Sequence, residues 1–415
     1  MKRNGWKLKV ITSLFALHIA SHGNAQAPNI SQDGEHALDD YLRQVVRDTY
    51  IPGIVALVTN REDAIYAGAF GSRSVAQGLP MTVDSIFRIA SMTKPITSAA
   101  VMVLVEEGEV GLDDPASIYL PGRLPEEVFE TFDPTDNSFT SRPANAAMTV
   151  RHLLSHTSGL GYNIFDEILF PLLGPQRPPT TQLNHPLLHD PGARWTYGES
   201  TRVLGYLVES VSGQGIDAFL AERIFAPLGM NETGFAVASE DNARLVALHT
   251  PVANGLAEQP NPEGTVSVLV RGDGGLFSTA RDYARFMRLI LNKGLGDDGA
   301  RLLGADTVDL MAQNHIGDLR VRLMPAPDAS MARPFPLGAG VDTFGLGFQI
   351  AAGHDSATMR SPGSLSWAGI NNTQFWIDPD AGIGAVLLMQ YRPFYDEAAI
   401  ETLRGFEAQV YRHLE

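Results

Sequence analysis

The chain predicts an α+β fold: an antiparallel sheet flanked by helices, with a mainly helical domain inserted into it. Three observations carry this reading. Short apolar runs of strand length occur early, at 54–59 and 64–69, and return late, at 344–351, 373–377 and 383–390. Helical spacing occupies both ends, at 37–47 and 397–413. Between 115 and 265, polar loops rich in proline and glycine alternate with helical stretches. At 415 residues the chain exceeds the usual size of one core, so two domains are expected. The expected boundaries are 28–114 with 266–415 for a discontinuous sheet domain, and 115–265 for the insert.

The elements follow in order. Residues 1–27 read as a secretory signal: Lys2, Arg3, Lys7 and Lys9 open it, 10–19 is a short apolar core, and Ala25-Gln26-Ala27 fits small-x-small cleavage. The apolar run is too short to span a bilayer, so an exported, periplasmic protein without stable membrane insertion is expected. The helix at 37–47 places Leu38, Tyr41, Leu42 and Val45 on one side. The runs at 54–59 and 64–69 flank Asn60-Arg61-Glu62-Asp63 and read as a hairpin. A helix is expected through 96–107, with Pro95 in its first turn. Loops are expected at 133–147 and 171–179. Thr149 caps a helix through Leu153 and Leu154 that stops near Gly159. Further helices are expected at 200–212 and 215–224, before the late strands and the closing helix.

Composition removes several function classes. The net charge is −16, and four of the cations lie in the leader. Such a chain repels nucleic acid and anionic lipid surfaces. There is no cysteine, hence no disulfide framework and no thiol nucleophile. His152 with His156, and His185 with His189, have i,i+4 spacing, but no His-Glu-x-x-His occurs, so neither a metal nor another cofactor is expected. No serine lies in Gly-x-Ser-x-Gly, which argues against an α/β-hydrolase.

One short motif carries chemistry. Beyond residue 27 the chain has only two lysines, and one of them is in Ser91-Met92-Thr93-Lys94. Random placement gives about 0.1 such Ser-x-x-Lys matches here. Lysine, unlike arginine, can lose its proton when desolvated. A neutral Lys94 can therefore take the Ser91 proton and leave an alkoxide nucleophile. Both residues should share a face at a helix N-terminus, whose dipole favours a developing anion. Such a pair needs a proton shuttle and two amide donors for an oxyanion. Tyr197, after the loop Pro191-Gly192-Ala193-Arg194-Trp195-Thr196, is the best shuttle candidate.

With these residues in view, the chain resembles the serine β-lactamase and penicillin-binding-protein superfamily. Its class C β-lactamase-like branch, including the family VIII carboxylesterases, is the nearest likeness. The resemblance rests on Phe87 through Pro95; on Thr149 through Leu160; on Tyr197 followed by Val203-Leu204-Gly205; on Pro227-Leu228-Gly229-Met230; on Gly274 through Ala280 with Asp282; and on Trp367-Ala368-Gly369 leading to Trp376-Ile377-Asp378-Pro379. It covers most of the chain from 50 to 392. It implies a β-lactamase/transpeptidase-like fold, Ser91 as nucleophile, Lys94 as its base and Tyr197 as proton relay. It also implies an oxyanion hole of the Ser91 and Ile370 backbone N–H groups, with Trp367, Ala368 and Gly369 lining the cleft.

The departures bear on substrate. The third motif of lactamases and peptidases is usually Lys-Thr-Gly or His-x-Gly, and its cation helps hold a carboxylate; here the position is Trp367. The esterase branch has Trp-Gly-Gly, and here Ala368 replaces the middle glycine. Where the lactamases have Tyr-x-Asn, this chain has Tyr197-Gly198-Glu199, so Glu199 joins the substrate-facing residues and should repel an anion. Where the esterases often have an aspartate, this chain has Arg202. The expected activity is hydrolysis of neutral carboxylic esters through an acyl-enzyme, with a small-molecule ester or amide as the sole expected partner. Three rival readings remain: a β-lactamase or D-amino-acid peptidase, an acyltransferase using the same acyl-enzyme, and a binding protein that has kept the fold. Arg360 is the candidate for a replacement cation, and His156, Thr157 and Ser158 are expected to tie the two domains by hydrogen bonds. Oligomeric state is not encoded in any motif.

Overall fold

A computed structural model describes residues 27–174, 183, 185–267, 270–353 and 359–415. Apart from Ala27, the leader lies outside the described residues. Helix α1 (Gln32–Asp48) starts at Ser31, whose side chain accepts from the Gly34 N–H. Strands β1 (Gly53–Thr59), β2 (Ala64–Ser74) and β3 (Leu79–Pro80) follow, then helix α2 (Thr93–Glu106). Helices α3 (Ser200–Ser212) and α4 (Ala280–Leu291) precede β4 (Thr343–Phe344), β5 (Gln349–Ile350), β6 (Leu365–Gly369), β7 (Thr373–Asp378) and β8 (Ile383–Leu388). Helix α5 (Glu397–His413) closes the chain.

The eight strands form one sheet in the order β4-β5-β6-β7-β8-β1-β2-β3, antiparallel at every pairing. β1 lies against β8, with Val55 opposite Leu388 and Leu57 opposite Val386. The early and late segments thus complete one sheet, and the chain between 81 and 342 is a long excursion from its strands. β1 and β8 are buried at every position because both sheet faces are covered. Alternation sorts their side chains. Ile54, Ala56, Val58 and Leu387 pack with Leu38, Leu42, Trp376 and Phe406 under α1 and α5. Val55, Leu57, Val386 and Phe375 pack with Met92, Ile96 and Met287 under α2 and α4.

Two expectations change. The run 344–351 is not one strand: Phe344 pairs with Gln349 across a tight hairpin. Gly347 turns the chain there at φ +100°, where an added Cβ would lie 2.5 Å from Ser98 Oγ. The stretch 115–265 carries the helices Val150–Leu154, Leu169–Leu173, Ser200–Ser212 and Ile216–Leu220, but also two hairpins. These are Glu127–Asp133 with Ser138–Pro143, and Leu248–Val252 with Gly255–Gln259. The loop expected at 133–147 is therefore half strand. The first ribbon is mostly exposed on both faces, so it needs no apolar alternation. Its support is cross-strand, with Phe129 and Phe139 edge to face at 5.0 Å. Among the described residues no helix is long and apolar enough to cross a membrane.

Candidate active site

Ser91 sits in a single 3-10 turn, Ala90–Met92, that feeds directly into α2. Ala90 adopts φ +46°, a conformation that disfavours a side chain. Three bonds hold the turn. Thr93 Oγ1 donates to the Ala90 carbonyl at 2.7 Å, Tyr283 Oη to the Met92 carbonyl at 3.1 Å, and the Ile89 N–H to the Leu276 carbonyl at 3.0 Å. Pro95 lies in the first turn of α2, where its missing N–H has no partner to lose.

Lys94 is 1% exposed. Its Nζ lies 3.1 Å from Ser91 Oγ and donates to the Asp273 carbonyl at 2.5 Å. The rings of Tyr162 and Tyr197 lie 5.2 and 5.0 Å from Nζ. Burial lowers the Lys94 pKa to about 7, Asp273 opposes that, Arg271 adds to it and Glu199 opposes it again. An amine this close to neutrality can accept a hydroxyl proton.

Tyr197 is brought beside Lys94 by a close chain approach. The Thr196 N–H donates to the His156 carbonyl at 2.8 Å, and a Cβ on Gly198 would lie 2.1 Å from the Leu160 carbonyl oxygen. Burial pushes the Tyr197 phenol well above its ordinary range, although the Ser91 and Trp367 side chains beside it pull the other way. It is a proton-bearing phenol beside a serine and a near-neutral amine.

The end of β6 packs against the Ser91 segment. A Cβ on Gly369 would lie 2.3 Å from both the Ile89 carbonyl oxygen and Thr373 Oγ1. Thr373 Oγ1 donates to that same carbonyl at 3.2 Å. This contact sets the turn that begins at Ile370 next to Ser91. Both residues line a 610 Å³ cleft, together with Tyr162, Phe165, Tyr197, Glu199, Arg271, Asp273, Phe335 and Ala368.

Trp367 and Gly369 do not line this cleft. Trp367 is 4% exposed and stands behind Tyr197, ring centroids 4.9 Å apart and planes at 63°, so the two rings meet edge to face. Glu199 is not a bare acid facing substrate: it is buried and pairs with Arg202 at 3.5 Å. That pairing corrects the expected repulsion of anions. Arg360 pairs with Glu407 at 3.0 Å and covers Trp376 on the α5 side of the sheet, so it supplies no cation to the cleft.

His156 does not join the segments by side-chain hydrogen bonds. Its ring is buried among Tyr197, Trp195, Phe344 and Trp367, and its Nδ1 has no hydrogen-bond partner among the described residues. Ser158 bonds Ser200 at 2.8 Å and Thr157 bonds Ser155 at 3.0 Å, both within 115–265. His152 closes the capping box of its own helix with Thr149. No cluster of three metal-ligating side chains occurs among the described residues.

Two site residues escaped the sequence reading. The buried Asp273 accepts from the Tyr162 hydroxyl and faces Arg271 Nε at 3.4 Å. Burial would raise its carboxyl, but Arg271, Lys94, Tyr162 and Arg202 outweigh that and hold it low. The only signals were adjacency: Asp273 precedes Gly274-Gly275, and Tyr162 follows the segment ending at Leu160.

A family model described as Beta-lactamase matches residues 38–409. Monacolin J acid methylbutanoyltransferase of Aspergillus terreus is 30% identical over 403 residues, covering 90% of this chain and 95% of that protein. Esterase EstB of Burkholderia gladioli is 29% identical over 380 residues, covering 85% and 89%. The unliganded structure of simvastatin synthase (LovD) from Aspergillus terreus aligns with a TM-score of 0.75 at 27% identity, covering 92% of this chain and 98% of that one.

Proposed function

The chain belongs to the beta-lactamase family, and we propose that it acts there as an exported carboxylic-ester hydrolase with Ser91 as nucleophile. Its relatives include esterases and acyltransferases, and the chain is a serine hydrolase of this kind. The observation that carries the catalytic reading is the contact of Lys94 Nζ with Ser91 Oγ at 3.1 Å, made by an amine whose pKa lies about 7.

Neutral Lys94 takes the Ser91 proton as Oγ attacks the ester carbonyl. The backbone N–H groups of Ser91 and Ile370 hold the oxyanion. The Tyr197 phenol protonates the departing alkoxide and regains its proton from the Lys94 ammonium. Water then attacks the acyl-enzyme, loses its proton to the same relay, and releases the acid and free Ser91. Ala368 contacts the substrate, Glu199 stands in the cleft wall held by Arg202, Trp367 supports Tyr197, and Gly369 supports the Ile370 turn. The leader at 1–27 and the division into 28–114 with 266–415 around 115–265 belong to the same proposal.

A side-by-side assay on mature protein tests this, with p-nitrophenyl butyrate and a chromogenic cephalosporin as substrates and Ser91→Ala as control. Fast ester turnover that is lost in the variant supports the reading. A kcat/KM for the cephalosporin above that for the ester overturns it in favour of a lactamase. A second reading, acyl transfer to an alcohol acceptor, is favoured by the acyltransferase relative. Adding an alcohol and finding an ester product in place of free acid distinguishes it.

A further inference from the structure

Three buried residues of α2 turn polar side chains toward one stretch of backbone. Thr93 Oγ1 accepts from the Leu276 N–H at 3.4 Å, Lys94 Nζ donates to the Asp273 carbonyl at 2.5 Å, and Thr97 Oγ1 donates to the Gly272 carbonyl at 2.7 Å. Positions 93, 94 and 97 fall on one side of a helix, and the segment 272–276 runs along that side in the opposite direction.

Thr97 has no part in the proton relay, yet its bond is unusual for its place. A helical threonine commonly satisfies its hydroxyl on a carbonyl three or four residues back in its own helix. Thr97 is fully buried and reaches instead to a carbonyl 175 residues away. Arg271 and Gly274 bridge across the tight turn that carries Gly272 and Asp273, and both of the carbonyls at 272 and 273 are received by α2. Behind this turn stands α3. A Cβ on Gly272 would lie 2.7 Å from the Thr201 carbonyl oxygen and 2.8 Å from Gly205 Cα. The turn is thus wedged against α3 and tied to α2 by Thr97, one peptide away from the carbonyl that holds Lys94.

We propose that Thr97 is a positioning residue, whose hydroxyl sets the 271–274 turn so that the Asp273 carbonyl holds Lys94 Nζ against Ser91 Oγ. This rests on the reading of Lys94 as the base. Without Oγ1 the buried Gly272 carbonyl loses its donor, and the turn shifts to find another. The Asp273 carbonyl then moves off Nζ. A carbonyl acceptor favours the ammonium over the neutral amine, so its departure lowers the proton affinity of Lys94 and also frees the side chain to swing.

Thr97→Val keeps the shape and removes the hydroxyl, Thr97→Ser keeps the hydroxyl, and Thr97→Ala is the second deletion should the valine variant not fold. The first measurement is the Lys94 titration, followed by NMR on protein carrying 13C-labelled lysine. Beyond residue 27 the chain has only Lys94 and Lys293, and the Lys94 signal is the one missing from Lys94→Arg. In Thr97→Val the titration should move down by about half a pH unit or more, and in Thr97→Ser it should return toward wild type. The second is the pH profile on p-nitrophenyl butyrate. The acidic limb should move down with the titration, and the plateau kcat should fall about tenfold with little change in KM. A threonine that only packs would lower the active fraction alike at every pH and leave limb and titration in place. A moved titration in a protein whose wild type turns over no ester supports the role of Thr97 and sinks only the hydrolase reading. An unmoved or raised titration in the folded valine or alanine variant, or an unchanged limb and plateau kcat in an active one, overturns the proposal.

Discussion

Lys94 Nζ touches Ser91 Oγ at 3.1 Å, and its shorter bond, 2.5 Å, goes to the main-chain carbonyl of Asp273. The carbonyl fixes the amine in place without neutralising it or adding a formal charge. The nearby charges, Asp273, Arg271 and Glu199, act on it through space. The site thus separates the positioning of the base from the setting of its proton affinity.

The first prediction concerns that base. Lys94→Arg keeps a cation at the position but cannot release its proton. The variant should lose about 10²–10⁴-fold in kcat on p-nitrophenyl butyrate, the usual share of a general base. Near-wild-type turnover by the folded variant would remove Lys94 from the role.

The second is a pH profile with a sign. Activity needs the neutral amine, so kcat/KM should rise with pH through an apparent pKa of about 7. The linked stability runs the same way. The folded pKa lies below the unfolded 10.5, so the unfolded chain binds more protons between about 7 and 10.5, and Lys94 makes stability rise with pH across that window. Asp273 raises the Lys94 pKa and Arg271 lowers it. Asp273→Asn should therefore move the acidic limb down, and Arg271→Gln should move it up. A purely structural role for the pair would lower rates in both variants without moving the limb in opposite directions.

Much of this was legible in the linear sequence, for physical reasons that differ by element. β1, β8 and α5 were readable because burial forces apolar composition and period on them. Ser91 and Lys94 were readable because their partnership is local, one helical turn apart. The hairpin at 127–143 was not, because an exposed ribbon is stabilised by cross-strand pairs such as Phe129 with Phe139. Asp273 and Tyr162 were hidden for a related reason. They come from segments far apart in the chain and gain meaning only where the fold brings them together. Arg360 shows the converse: a free-looking arginine in sequence is committed to Glu407 on the far side of the sheet.

The third prediction separates the phenol from the amine. Burial keeps Tyr197 protonated, so it acts as a donor to the leaving group. Tyr197→Phe keeps the ring packed on Trp367 and removes only the hydroxyl. kcat should fall about 10²–10⁴-fold with little change in KM. The loss should be smaller for p-nitrophenyl esters, whose leaving group needs little protonation, than for alkyl esters. Equal losses on both would place Tyr197 outside the proton relay.

The last prediction tests how the Ile370 turn is seated. Gly369 lies against the Ile89 carbonyl with no room for a Cβ, which would approach both that oxygen and Thr373 Oγ1 to 2.3 Å. Part of the obstruction is main chain, which cannot swing aside as a flexible side chain would. Gly369→Ala must therefore push the β6–β7 turn away from the Ser91 segment. Overpacking of this kind costs about 1–3 kcal/mol, readable as a lower urea midpoint. The displaced turn carries the Ile370 N–H away from the oxyanion position, so kcat should fall even at temperatures where the variant is fully folded. A variant with lowered stability but wild-type kcat would mean that the Ile370 amide does not serve the transition state, and that the contact with Ile89 is only a packing constraint.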